Sequence, residues 1–169
     1  MDKATQKHLL RYPNAKEILS KRSLTAKVFD NKNGTFELQA HIGHIHYKDK
    51  NDKQFKEIDT TLIATASGWE MRQASYEVEL PKYADDWFTW INSFILDPRT
   101  GGEHNLPEER IRMRPVGAQH VEGVVVNDPT DPWANKKVLY ANAFGQGIDL
   151  MIQARNVGFD KLVVIREKP

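Results

Sequence analysis

Residues 23–62 constrain the fold of this chain more than any other stretch, because strand-like alternation there meets a tight-turn signal. Phe36, Leu38 and Ala40 alternate with polar residues, which is the two-residue period of a β-strand. Asn33-Gly34, just before them, accepts the positive backbone dihedrals of a tight hairpin turn. A second polar turn, at 48–53, separates this run from the next one. The stretch therefore predicts a β-meander that begins a sheet.

Strand-like runs continue to the end of the chain. Residues 76–80 and 148–154 alternate, and Asn156-Val157-Gly158 turns the chain into a β-branched run at 162–165. The most apolar stretch, WFTWINSFIL at 87–96, fits a helix or a strand buried on both faces, and the neighbouring β pattern favours the strand. About nine to eleven short strands spaced by turns are typical of an all-β protein. We predict an antiparallel β-sandwich or a jelly-roll-like barrel.

The first 22 residues differ from the rest and predict a short, partly helical arm. Residues 7–12 and 15–21 are each compatible with a short helix, and Pro13 separates them. The arm either packs on the sheet or reaches a neighbouring subunit, in which case Leu9, Leu10 and Tyr12 would make the contact. The predicted organisation is an arm at 1–22 and a single β-sandwich domain at 23–169.

Composition excludes several classes of function. The 169 residues carry a formal net charge of +1, so no general attraction to nucleic acid or to an anionic membrane is expected. The absence of cysteine excludes disulfides, thiolate metal sites and cysteine nucleophiles. The polar N-terminus has no apolar run behind it, which predicts no signal peptide and synthesis in a cytoplasm.

The histidines at 41, 44 and 46 are the clearest group of residues that could bind a metal. On a strand His44 and His46 share a face, and an imidazole pair with a third ligand holds zinc in many proteins. Nothing in the spacing requires a site, so we interpret both as solvent-facing. We predict no metal and no cofactor.

The sequence shows no pattern typical of a catalytic centre. It lacks a G-x-S-x-G elbow, and carboxylate neighbours such as Asp85 and Asp86 would not face each other across a cleft. Every second residue from 110 to 114 is an arginine, so Arg110, Arg112 and Arg114 would lie on one face of a strand. We interpret this face as exposed to solvent. We predict that the chain is not an enzyme.

Three tryptophans are candidates for either core or contact positions. Trp87 and Trp90 lie in the apolar stretch, where a protein contact is the alternative to burial. Trp133 lies in the polar loop at 127–136, either tucked back onto the sheet or gripping a partner. With the three arm residues, they complete the predicted interface set.

An ordered series of short motifs extends over most of residues 16–165. It runs KEILSKRSLTAKVFDNKNGTFELQ, IHYKD, FKEIDTTL, YEVELP, LYANAFGQGIDLMIQ and GFDKLVVI. The series resembles the β-rich module of phage virion proteins and of Rhs-type and wall-associated secreted bacterial proteins. The resemblance implies an all-β fold and marks no catalytic residue.

The resemblance also implies a function. For a short chain of this kind we expect a non-enzymatic structural component of a phage particle, specifically a capsid decoration (cement) protein assembled in the host cytoplasm. Its partner would be the major capsid protein or another virion protein, and it would form a homo-oligomer. The alternatives are a carbohydrate- or cell-wall-binding module of a secreted surface protein and a tail or baseplate structural protein.

Overall fold

The structure, a computed structural model, describes residues 3–49, 51–92, 95–96, 103–104 and 109–166. The chain divides into two compact units, Met1–Ile58 and Asp59–Pro169. This division differs from the arm and single domain expected from the sequence, because residues from the expected arm belong to the sheet of the first unit. Lys16 pairs with Asp30 and Glu17 with Phe29.

The first unit contains one α-helix, one 3-10 helix and five short strands among its described residues. They are α1 (Lys3–Arg11), β1 (Lys16–Glu17), the 3-10 helix (Leu19–Lys21), β2 (Ala26–Asp30), β3 (Phe36–Ala40), β4 (His46–Lys48) and β5 (Phe55–Glu57). The strands β1, β2 and β3 form one antiparallel sheet in that order, and β4 pairs with β5.

The arm is α-helical in its first half and has a 3-10 helix near its end. In α1, His8 is buried and its ring lies 4.7 Å from that of Phe29. Of the stretch at 15–21, which was compatible with a short helix, only Leu19–Lys21 is helical, as the 3-10 helix, and Lys16 and Glu17 form β1 instead. A helix of this length is only marginally stable by itself. An extended segment here can instead form hydrogen bonds with the backbone of β2.

The second unit is built from eleven strands among its described residues. They are β6 (Ile63–Thr65), β7 (Gly68–Met71), β8 (Tyr76–Pro81), β9 (Phe88–Asn92), β10 (Ile95–Leu96), β11 (Glu103–His104), β12 (Glu109–Met113), β13 (Val124–Val125), β14 (Lys137–Tyr140), β15 (Ile148–Arg155) and β16 (Gly158–Ile165). One sheet has the order β12-β9-β8-β7-β6, a second has β13-β14-β15-β16, and β10 pairs with β11.

The two larger sheets of this unit enclose its core, so the predicted antiparallel β-sandwich is confirmed. The ring of Phe88, on β9, meets that of Tyr140, on β14, edge to face with centroids 5.9 Å apart. The Tyr140 hydroxyl donates a hydrogen bond to the Pro81 carbonyl at 2.7 Å. Leu150 and Ile152 of β15 are completely or almost completely buried beside them.

A second buried tyrosine secures the β15–β16 hairpin. The Tyr76 hydroxyl lies within hydrogen-bond reach of the Arg155 and Gly158 carbonyls, on either side of the hairpin turn. Burial raises the pKa of Tyr76 to about 12, so the hydroxyl stays protonated at neutral pH. The turn is thereby attached to β8 of the other sheet.

Two glycines allow close approaches that no other residue would permit. A Cβ at Gly68, where φ is +146°, would lie 2.1 Å from the Leu80 carbonyl oxygen. A Cβ at Gly123 would lie 2.6 Å from the ring of Tyr140. Both contacts are far shorter than van der Waals distance, so each glycine is required for the strands to pack.

Several strand predictions are confirmed. The apolar stretch at 87–96 forms strands β9 and β10, and Phe88 and Ile91, on opposite faces of β9, are both buried. The described residues form sixteen strands, more than the sequence predicted, because several have only two or three residues. The polar loop predicted at 97–110 lies largely outside the described residues.

Within the part of the chain that the structure describes, no helix has the length and apolar character needed to span a membrane.

The Tyr140 hydrogen bond predicts a measurable loss of stability. Tyr140→Phe leaves the buried Pro81 carbonyl without its donor, so we expect the free energy of unfolding of the second unit to fall by about 1–3 kcal/mol. Chemical denaturation followed by far-UV circular dichroism measures this. The control is Tyr12→Phe, at a half-buried ring in the first unit. This variant should leave the unfolding transition of the second unit unchanged. Equal losses in the two variants would contradict the assignment.

Candidate binding cleft beside Trp87

The candidate site begins where the turn after β8 leads into β9. The Asp86 carboxylate accepts a hydrogen bond from the Trp87 backbone N–H at 2.7 Å, which fixes the entry to the strand. Successive residues of a strand point to opposite faces, so the burial of Phe88 turns Trp87 outward. Trp87 is 44% exposed, which is high for so large an apolar ring.

Two arginines contact Trp87 and the turn before it. Arg112 lies on β12, and Arg114 directly follows that strand. The antiparallel register places Arg112 opposite Thr89, on the same face as Trp87. Its guanidinium carbon lies 5.4 Å from the centroid of the Trp87 ring, within cation–π range. Arg114 donates from Nε to the Asp85 carbonyl at 2.6 Å. The alternation noted in the sequence thus brings the arginines to a defined aromatic surface.

These residues border an open cleft of about 390 Å³, the Trp87 cleft. Its lining combines one aromatic ring, a carboxylate, a guanidinium and small or apolar residues: Asp85, Trp87, Arg114, Pro115, Val116, Gly117 and Ala118. Val116 is fully accessible at the rim, with 96% of its surface exposed. The turn that carries it depends on Gly117, whose φ is +80°.

One wall of the cleft is supported by an aromatic and ionic cluster. His120 Nδ1 lies 3.0 Å from the Asp85 carboxylate, and the His120 ring stacks on Tyr83 with centroids 4.0 Å apart. A β-bridge between Tyr83 and Glu122 holds the two segments together, and Ala84 donates its N–H to the Val121 carbonyl at 3.0 Å. Asp85 is therefore held from two sides, by His120 and through its own carbonyl by Arg114.

The chemistry of the cleft suits binding. A ring with one exposed face attracts apolar or aromatic groups and cations, and Arg112 already occupies cation–π range of that ring. Arg114 and Asp85 supply a fixed donor and acceptor beside it. Aromatic and apolar walls with a few placed polar groups are typical of sites that recognise a surface or a small molecule.

The other predicted tryptophans occupy different settings. Trp90 is half-buried on the inner face of its sheet, opposite Val78 and 6.2 Å from the Tyr76 ring, so it belongs mainly to the core. Trp133 is half-buried too, and its ring lies 4.4 Å from the Arg155 guanidinium of β15. This contact fits the tucked alternative for Trp133. Of the three, Trp87 alone contributes to the cleft.

The predicted interface residues of the arm lie in the first unit, on and just after α1. Leu10 is 84% exposed, whereas Leu9 and Tyr12 are half-buried. Tyr12 packs against His8, with ring centroids 5.3 Å apart. Their role as an interface stays a prediction.

Sequence reasoning missed Asp85 and His120 as members of one site. They are 35 positions apart and meet only because Tyr83 and Glu122 form a bridge. Arg114 was recognised for its alternation but was assigned to a solvated face. In the sequence, Trp87 and the alternating arginines were the signals that pointed to this position.

The histidine interpretation is corrected at one residue. His46 is completely buried in the first unit, because its Nδ1–H donates to the Ser23 carbonyl at 2.6 Å, and it is not solvent-facing. His41 and His44 are half-buried. Among the described residues, no group of three or more histidine, aspartate or glutamate side chains is arranged to hold a metal ion.

Comparisons with protein-family models, with curated proteins and with solved structures give no match to this chain.

The buried His46 predicts a stability that depends on pH. Burial lowers its pKa below the ordinary 6.5, so below that pH the unfolded chain binds a proton that the folded chain does not. The free energy of unfolding should therefore decrease as the pH falls from 6.5 toward the folded-state pKa. Denaturation of wild type and His46→Gln across this range measures the slope.

The His46→Gln variant should lose this part of the slope. His41→Gln, at a half-buried neighbour, is the matched control and should retain it. A ring of His46 that titrates at or above 6.5 in an NMR titration of the folded protein would contradict the prediction.

Proposed function

We propose that this chain is a non-enzymatic docking protein that binds a protein surface through the Trp87 cleft. The observation that carries the proposal is the 44% exposed Trp87 beside Arg112. Tryptophan and arginine are the residues most enriched among those that dominate binding energy at protein interfaces. The exposed Val116 extends the apolar surface around them.

The proposed partner is the shell of a phage particle, with the major capsid protein or another virion protein providing the contact. The ordered motif series described above, from residues 16 to 165, supports this choice. A protein that binds only the assembled shell stabilises that assembly, because binding lowers the free energy of the bound state alone. Several copies docking together would raise the avidity without requiring new contacts. In this proposal the protein resides in the virion.

Trp87→Ala tests the docking surface. Wild-type protein mixed with undecorated phage shells should co-sediment and saturate at a fixed ratio per capsomer. We expect Trp87→Ala to weaken this binding by about 30-fold or more, equivalent to about 2 kcal/mol, since the ring supplies most of the apolar contact. The control is Ile63→Ala, at a half-exposed residue of β6 on the opposite edge of the same sheet.

Two results would count against this proposal. A wild-type protein that does not sediment with the shells would reject the shell as partner. Equal binding by Trp87→Ala and wild type would reject the cleft as the docking surface.

Carbohydrate binding is the second candidate function, and the dimensions of the cleft favour it. A cavity of about 390 Å³ with an aromatic wall, a carboxylate and a guanidinium has the size and composition of a small-ligand site. A saccharide ring would stack on Trp87 while its hydroxyls bond to Asp85 and Arg114.

A glycan titration followed by tryptophan fluorescence separates the two candidates. The chain has four tryptophans, so Trp87→Phe identifies the contribution of this ring by difference. A saturable signal that disappears in Trp87→Phe would support carbohydrate binding. No signal with cell-wall glycans would leave protein docking as the function of the cleft.

A further inference from the structure

In the sheet of the first unit, the more polar face is covered and the more apolar face is exposed. On β3, Glu37 and Gln39 lie under α1, where the Glu37 carboxylate is 2.9 Å from His8 Nδ1 and Gln39 Oε1 is 3.3 Å from Thr5 Oγ1. Phe36 and Leu38 point the other way and are 64% and 66% exposed. Folding normally buries the apolar row, so this row is available for a contact outside the unit.

The outer edge of the same strand is also available. β3 is the last strand of the sheet, and among the described residues only β2 pairs with it. Two hydrogen bonds fix the phase of this ladder: His41 N–H to Thr25 O at 2.8 Å, and Asn31 N–H to Thr35 O at 3.1 Å. Along an antiparallel strand, the backbone N–H and C=O groups of successive residues point alternately toward a neighbouring strand and away from it. Those of Phe36, Leu38 and Ala40 therefore point away from β2.

β3 has few of the features that normally keep an edge strand single. Such strands are protected by charged side chains, above all lysine, by proline or by being very short. β3 has five residues, FELQA, and Glu37 is its only charge. Among the edge strands of the two larger sheets of the second unit, β12 carries Arg110 and Arg112 and β16 carries Lys161, whereas β6 and β13 have only three and two residues.

We propose that β3 pairs with β3 of a second copy of this chain, antiparallel, about a two-fold axis at Leu38. In this register Leu38 faces Leu38, Phe36 faces Ala40, and Glu37 faces Gln39 of the second copy. The only charge of the strand thus meets an amide donor rather than a like charge, and the largest side chain meets the smallest. The strand is complementary to itself, as a two-fold interface requires.

The backbone supports the same register. The outward-pointing groups of Phe36, Leu38 and Ala40 meet those of the second copy and form about six hydrogen bonds. An axis at Glu37 or Gln39 would pair fewer residues of the strand, and an axis at Glu37 would also bring two like charges face to face. The two sheets join into one, and their exposed apolar rows become continuous across the axis. The proposal is independent of the Trp87 cleft, which lies in the other unit.

Single cysteines give the sharpest test, because the chain has none of its own. Residues facing each other across an antiparallel pair have Cα atoms about 5.5 Å apart, within the range of a disulfide. Leu38→Cys should therefore form a disulfide-linked dimer under mild oxidation. Phe36→Cys faces Ala40 and should stay unlinked alone, but should link when mixed with Ala40→Cys. Linkage of Phe36→Cys as readily as Leu38→Cys would overturn the register.

The mass in solution tests the dimer itself. Sedimentation across a dilution series should show wild type approaching twice the 19.4 kDa chain mass. Leu38→Lys places two ammonium groups across the axis and should remain at the single-chain mass. The control, Val157→Lys in the turn between β15 and β16, replaces an apolar residue of almost equal exposure, 65%, in the other unit and should dimerise as wild type does.

A variant that acts through the backbone complements the cysteine and lysine variants. Leu38→Pro removes an N–H that points away from β2, so the internal ladder is kept while the second copy loses a donor. It should be monomeric with an unchanged circular dichroism spectrum. Wild type that stays monomeric, or Leu38→Lys that still dimerises, would overturn the proposal. A monomeric wild type whose binding to phage shells is lost in Leu38→Lys would also overturn it, because the strand would then pair with a shell protein.

Discussion

The hydrogen bond from the Tyr140 hydroxyl to the Pro81 carbonyl is the interaction on which the second unit depends. Tyr140 is completely buried, and burial raises the pKa of its hydroxyl, which therefore remains a donor throughout the neutral range. Pro81 ends β8, and the chain runs from there through the turn into Trp87. The bond thus connects the two sheets and also fixes the segment that supplies one side of the cleft.

The segment is also held at a second point, next to the first. Lys82 accepts at its carbonyl from the Gly123 N–H at 2.9 Å, and the neighbouring Tyr83 bridges to Glu122. Asp85 and Trp87 therefore follow a segment, 81–83, that is attached to other parts of the unit at three consecutive residues. A docking surface preorganised in this way loses little conformational entropy when it binds.

The fold could be predicted from the sequence wherever the information was local. Alternation and Asn-Gly or Asn-Val-Gly turns identified β3, β8 and the final hairpin, since a strand half-buried in a sheet imposes a two-residue period. Lys16 and Glu17, in a stretch compatible with a helix, form a strand because they pair with Asp30 and Phe29, which no short-range pattern reveals. His46 was misassigned for a similar reason, as its burial comes with a hydrogen bond to Ser23, 23 positions earlier. The cleft draws on two segments that are far apart in the sequence, and its composition could be anticipated only in part, from Trp87 and the alternating arginines.

The close contacts at Gly68 and Gly123 limit how this sequence can diverge. A side chain at either position would meet the backbone of Leu80 or the ring of Tyr140, and neither can move without opening the sandwich. Related sequences should therefore retain these two small, chemically silent residues even where their binding surfaces have changed to suit other partners. A distant relative would be recognised more readily by paired glycines at the corresponding places than by its tryptophan.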